Sequence, residues 1–210
     1  MSTLTILIIR HAEKQGESWP GSGLTSDGLP DKKSLVIRGW QRAGSWCGLF
    51  GVGLGGLDYP APSVIYAADP NATSGDDPSQ RPYETVIPVA ARLGLEVNTN
   101  FAVGQETQLV DTVLSQTGVA LVAWEHKAIV HAILPAIVKD QPVAGLPSKW
   151  DGKRFDVVLR FDRASPEAPW SFRQLCPCLL SDDSPNPMVR PFLLPLADPE
   201  DAHALARADS

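Results

Sequence analysis

Four side chains in this 210-residue chain have types and spacing suited to chemistry: Arg10, His11, Arg81 and His126. Arg10 and His11 directly follow the apolar run Leu4, Ile6, Leu7, Ile8 and Ile9. Arg81 precedes Pro82 after a polar loop, and His126 follows the apolar run Val119–Trp124. Two guanidinium groups are a poor set for a metal ion, which they would repel. They suit an oxyanion such as phosphate, to which each donates in parallel. Cations beside an imidazole also favour its neutral form, which leaves a ring nitrogen free to attack phosphorus.

Those residues must be brought together by the elements around them. Leu4–Ile9 reads as a buried, parallel strand, and a charged pair at its carboxyl end lies where open α/β sheets bind ligands. The spacing of Arg42, Ala43, Trp46, Leu49 and Phe50 predicts a helix within 35–50, stopped by Gly51 and Gly53. Ser63–Ala67 reads as a second strand. Pro82 suits the first turn of a helix that runs to Leu93 and is capped by Gly94, with Arg81 at its N-terminus. A further helix is predicted over Gln105–Gln116, a third buried strand over Val119–Trp124, and an apolar helix from Ile129 that Pro135 should kink or shorten. Arg154–Phe161 and Trp170–Leu175 read as a hairpin joined by the turn at Ser165–Pro169. This alternation predicts an α/β fold: a three-layer α/β/α sandwich with a mostly parallel central sheet and an antiparallel edge hairpin. Residues 1–180 are expected to form one domain. The Pro- and Asp-rich residues 181–210 are expected to form a tail that packs on the surface or frays.

Composition bounds the partners. Hydrophobic content is 43%, charged content is 20%, and the net charge is −6 with a pI near 5.2. That balance argues against broad nucleic-acid binding, but it permits a locally positive pocket for a small anion. Cys47, Cys176 and Cys178 are an odd set with no zinc-like spacing, so they are read as thiols in a reducing compartment. The N-terminal run lacks a basic leader, and no stretch approaches the roughly 20 apolar residues of a membrane span. A cytoplasmic protein without a membrane partner is expected.

Arg-His-Ala-Glu after a buried strand, Arg81 after the second strand and His126 after a later one resemble the histidine phosphatase superfamily, also called the phosphoglycerate-mutase-like family. The resemblance spans roughly residues 4–160. LVIRGWQRAG at Leu35–Gly44 resembles the family's Leu-x-x-x-Gly-x-x-Gln/Arg-Ala helix start, and RPYETVIPVAARLGLEV resembles its Arg-x-x-x-Thr helix. Here Ala12 stands where the family usually has Gly. The resemblance implies a phosphatase that acts on a phosphomonoester or a phosphohistidine, with His11 phosphorylated in turn. Arg10, Arg81 and His126 would complete the phosphoryl pocket, and no metal or cofactor would be needed. It implies a general acid at Glu106, with Glu125 as the competitor and, as in some relatives, no dedicated acid as the third alternative; alternation along the strand would turn Glu125 away from the pocket if the strand reached it. A small phosphorylated molecule or a phosphoprotein is the expected partner. The alternatives are a phosphoglycerate-type mutase and a catalytically weak member that binds phosphorylated ligands.

Overall fold

The computed structural model describes residues 3–16, 18–73, 78–139 and 141–188. The stretch 189–210, most of the expected tail, lies outside the described residues. The N-terminal apolar run forms β1 (Leu4–Arg10), at the middle of a six-stranded sheet. It pairs in parallel with β4 (Gly118–Trp124), from Leu4 opposite Gly118 to Arg10 opposite Trp124. β2 (Val64–Ala67) pairs with β4 on its far side, and the two-residue β3 (Val97–Asn98) closes that edge, both in parallel. On the other side of β1, β5 (Val158–Arg163) and β6 (Ser171–Leu175) form the antiparallel hairpin. The strand order is β3-β2-β4-β1-β5-β6.

Alternation along the strands builds two cores. Leu7 and Ile9 of β1, with Leu121 and Ala123 of β4, face α1 (Ile37–Trp46), its π-helical continuation Cys47–Gly51, and α2 (Arg81–Leu93). Leu4, Ile6 and Ile8, with Val122 and Trp124, face α3 (Glu106–Leu114) and the helical segment after β4. That segment comprises the turn α4 (His126–Ala128), a π-helical stretch Ile129–Ile133 and α5 (Leu134–Val138). Pro135 falls in the first turn of α5, directly after the π-helical stretch, so the helical segment departs from regular α geometry where the proline removes a donor. The predicted α/β/α layering is what the chain adopts.

Two details differ from the expected elements. β3 is too short to leave a periodic signal in the sequence. The hairpin strand begins at Val158 rather than Arg154, because the backbone before it serves another purpose: the carbonyls of Gly152 and Arg154 accept hydrogen bonds from Arg10. Past residue 180 the chain is held to the body, with Asp183 paired to Arg42 at 2.7 Å. No helix among the described residues is long and apolar enough to cross a membrane.

Candidate active site

β1 and β4 are parallel neighbours, yet the chain leaves them toward opposite faces, to α1 after β1 and to α4 and α5 after β4. A crevice opens between such strand ends. The His11 backbone N–H donates to the Trp124 carbonyl at 3.0 Å, which seats His11 beside the start of the Glu125–His126 turn. A cavity of about 160 Å³ lies there, lined by His11, Lys14, Arg81, Glu125 and His126 on its charged side.

The two short motifs quoted above have a shared physical purpose: they lock the segment after β1. The Ala12 N–H donates to Thr85 Oγ1 at 2.8 Å, and the Thr85 hydroxyl donates to the Arg81 carbonyl at 2.7 Å. The threonine four residues after Arg81 thus ties the first turn of α2 to the residue beside His11. Gly39 lies against the Glu13 carbonyl so closely that a Cβ there would sit 2.5 Å from it. Arg42 Nε donates to Glu13 Oε1 at 2.8 Å, and both side chains are buried. This pair and Asp183 border a second cavity of about 240 Å³, whose buried ions already pair with one another.

His11 is 5% exposed. Its Nδ1 lies 2.7 Å from the carbonyl of Ala12, and a carbonyl only accepts, so the proton is on Nδ1 and Nε2 carries the lone pair. Burial, then the Arg10 charge and the more distant Arg81 and Lys14, bring the His11 pKa down to about 3, against a smaller opposing pull from the Ala12 carbonyl. The imidazole is therefore neutral at neutral pH. Arg10 is buried, with its guanidinium carbon 3.8 Å from the centre of the Phe155 ring. Its Nη1 donates to the carbonyls of Gly152 and Arg154 at 2.9 and 3.2 Å, while its Nε is a buried donor without a protein partner among the described residues. Burial lowers the Arg10 pKa to about 10, against the nearby carboxylates of Glu125, Glu13 and Asp151, and leaves it charged at neutral pH. Arg81 is the first residue of α2, and its guanidinium is steered by the carbonyls of Lys32 and Ser34 and by the Ser79 hydroxyl.

Glu125 caps α4: its Oε2 accepts the N–H groups of Lys127 and Ala128 at 2.7 and 2.9 Å. Its Oε1 lies 2.6 Å from Nδ1 of His126. Burial would raise the Glu125 pKa, but the His126 contact and the two backbone N–H groups outweigh it and hold the carboxyl at about 2. Glu106 sits elsewhere. Its carboxylate accepts the Gly104 N–H at 2.9 and 3.1 Å and the Trp124 indole N–H at 2.9 Å, and it does not line the cavity. His11, Arg81 and His126 thus share one cavity, whereas neither Arg10, next to His11 in the chain, nor Glu106 is on its lining. Because β4 ends at Trp124, strand alternation does not reach Glu125, and the helix cap turns that residue toward His126. Phe155 is a contributor that the sequence reading missed: it lies 145 residues from Arg10 and 144 from His11, and nothing local marks it. Among the described residues, no group of His, Cys, Asp and Glu is arranged to hold a metal ion.

No protein-family model and no curated protein matches the chain by sequence. Solved structures do match by shape. The native structure of mycobacterial glucosyl-3-phosphoglycerate phosphatase aligns over 81% of this chain and 97% of its own, with a TM-score of 0.51 at 15% identity. The chain shares the fold of that phosphatase. The phosphatase is itself a histidine phosphatase superfamily member, so the fold is the one that the motif resemblance implied. A second neighbour, mycobacterial hydrolase 1, aligns over 81% of this chain and 96% of its own, with a TM-score of 0.50 at 14% identity.

Proposed function

We propose that this protein is a phosphatase of the histidine phosphatase type, which hydrolyses a phosphomonoester or a phosphohistidine through a phosphohistidine on His11. One observation carries the reading: a buried, neutral imidazole whose Nδ1–H is tied to Ala12 and whose Nε2 is free, in a cavity shared with Arg81 and His126. The fold shared with a phosphatase supports it.

In the first step Nε2 of His11 attacks phosphorus, and the bond to the leaving oxygen breaks. Arg81, His126 and the unpartnered Nε–H of Arg10 meet the charge on the phosphoryl oxygens, so catalysis is largely positioning and electrostatics. The leaving oxygen takes its proton from His126, which Glu125 orients from behind. Glu125 itself is held ionised and has no proton to give at neutral pH. Glu106, whose oxygens are engaged by Gly104 and Trp124, serves the turn and not the reaction. In the second step water gives a proton to His126 as its oxygen attacks phosphorus, the bond from phosphorus to Nε2 breaks, and both His11 and His126 are restored. No step calls for a metal.

The experiment is phosphate release from p-nitrophenyl phosphate by wild type and His11→Ala, with and without a chelator. Wild type should release phosphate in either condition and trap labelled phosphate as an acid-labile, base-stable adduct. His11→Ala should fall to background. Undiminished activity in His11→Ala would remove the nucleophile, and loss of wild-type activity in chelator would replace this mechanism with a metal-assisted one.

A further inference from the structure

The cavity has two walls of different chemistry. The ends of β1 and β4 supply the ionic wall, with His11, Lys14, Glu125 and His126. The segment after β2, the first turn of α2 and the turn before α3 supply the other, with Ala68, Ala72, Pro78, Pro82 and Val103. On that second wall the polar residues among those described are Asp69, Ser79 and Arg81, the last already assigned to the phosphoryl group. Asp69 Oδ1 accepts the Asn71 N–H at 2.8 Å, and the Ser79 hydroxyl is engaged by Arg81. Apart from Arg81, the described residues of the wall facing the phosphoryl pocket therefore offer a substrate few open hydrogen-bonding groups.

Resting on the phosphatase reading, we infer that the leaving group is a small apolar alcohol or phenol with no charge beyond the phosphate. Three observations support this. A polyhydroxylated leaving group would press its hydroxyls on Ala, Pro and Val side chains and lose the hydrogen bonds they make in water. A second anionic group would meet the carboxylates of Glu125 and Asp69. Lys14 is the one lysine among the described residues of the lining, and burial and the neighbouring charges of Arg81 and Arg10 already disfavour its charged form. Finally, a cavity of about 160 Å³ is smaller than the roughly 300–1,000 Å³ usual for drug-sized ligands, which limits the leaving group to about one ring.

The test matches reactivity and varies only polarity. Cyclohexylmethyl phosphate and glucose 6-phosphate are both primary alkyl phosphates on a six-membered ring, one bare and one hydroxylated. Wild type should favour the bare ring by about 10²-fold in kcat/KM, and it should favour isobutyl phosphate over 3-phosphoglycerate in the same sense. The paired change Ala72→Ser and Val103→Thr, which adds hydroxyls at near-constant volume, should narrow the ring preference by about tenfold. Equal or reversed preference for the hydroxylated ring, with turnover still dependent on His11, would overturn the apolar assignment and leave the phosphatase reading in place. If neither alkyl ester turns over while p-nitrophenyl phosphate does, their inhibition constants against it decide by the same criterion. If His11→Ala matches wild type on every ester, the phosphatase reading fails and the apolar assignment falls with it.

Discussion

Two turns near the last residues of β4 each open a helix with a glutamate, and the two glutamates have opposite surroundings. Glu106, the first residue of α3, folds back on the Gly104 N–H and clamps the indole N–H of Trp124; it is 6% exposed. Glu125, one residue beyond that tryptophan, caps α4 with one oxygen and holds His126 with the other, and its side chain is 31% exposed. Glu125 satisfies backbone donors at a helix start, as the unpaired N–H groups there require, whereas Glu106 accepts from Gly104, two residues before its own helix. What separates them further is the side chain each one meets. An indole at the bottom of the core makes Glu106 a strut, whereas an imidazole on the cavity wall makes Glu125 part of the site. A glutamate at a helix N-terminus therefore says little about chemistry until the neighbour across the turn is known.

Each glutamate can be used to break or sharpen this contrast. The largest effect on stability is expected at the strut. Glu106→Ala leaves the buried Trp124 indole N–H unmet and frees the exposed Gly104 N–H, and it should lower unfolding stability by about 2 kcal/mol, measured by denaturant titration, with kcat/KM of the folded fraction changed little. A variant that keeps its stability and loses its activity would move Glu106 to the chemistry and undo the contrast.

The next effect is expected at the site. Glu125→Gln should slow alkyl phosphates by about 10²-fold, slow p-nitrophenyl phosphate much less, and change stability by no more than about 1 kcal/mol. In a His126→Gln background the same change should cost almost nothing, because Glu125 acts through that imidazole. A further full loss in the double variant would mean that Glu125 meets the substrate itself.

The smallest effect concerns acid. The folded Glu125 pKa of about 2 lies below the ordinary carboxyl value of 4.5, so its contribution is complete above pH 4.5 and disappears as pH falls through 2. The stability gap between wild type and Glu125→Gln should therefore close between pH 5 and 2. Denaturant titrations across that range check it, and a gap that widens on acidification would reverse the sign of the assignment.

The reach of the sequence is visible in particular residues. Arg10, His11, Arg81 and His126 could be picked out because each follows or opens an element whose apolar periodicity is local. Thr85 and Gly39 were legible only as motif letters; their contacts to Ala12 and to the Glu13 carbonyl give those letters a physical meaning. The hairpin was legible, though its start was displaced because Arg10 draws on backbone carbonyls 142 and 144 residues away. Asp183, in the stretch expected to pack on the surface or fray, completes the Arg42 ion pair that braces Glu13.

The sequence by itself determined the elements and their order, because burial at a period of two or of about 3.6 residues is written in neighbouring positions. It also placed two cations and two imidazoles at or near strand ends and helix starts. Tertiary structure alone decided what each titratable group does. It buried His11 and fixed its proton, laid Phe155 beneath Arg10, and gave one glutamate to Trp124 and the other to His126. Those outcomes depend on the solvation and charge that distant segments bring to a group, and no local pattern carries that information.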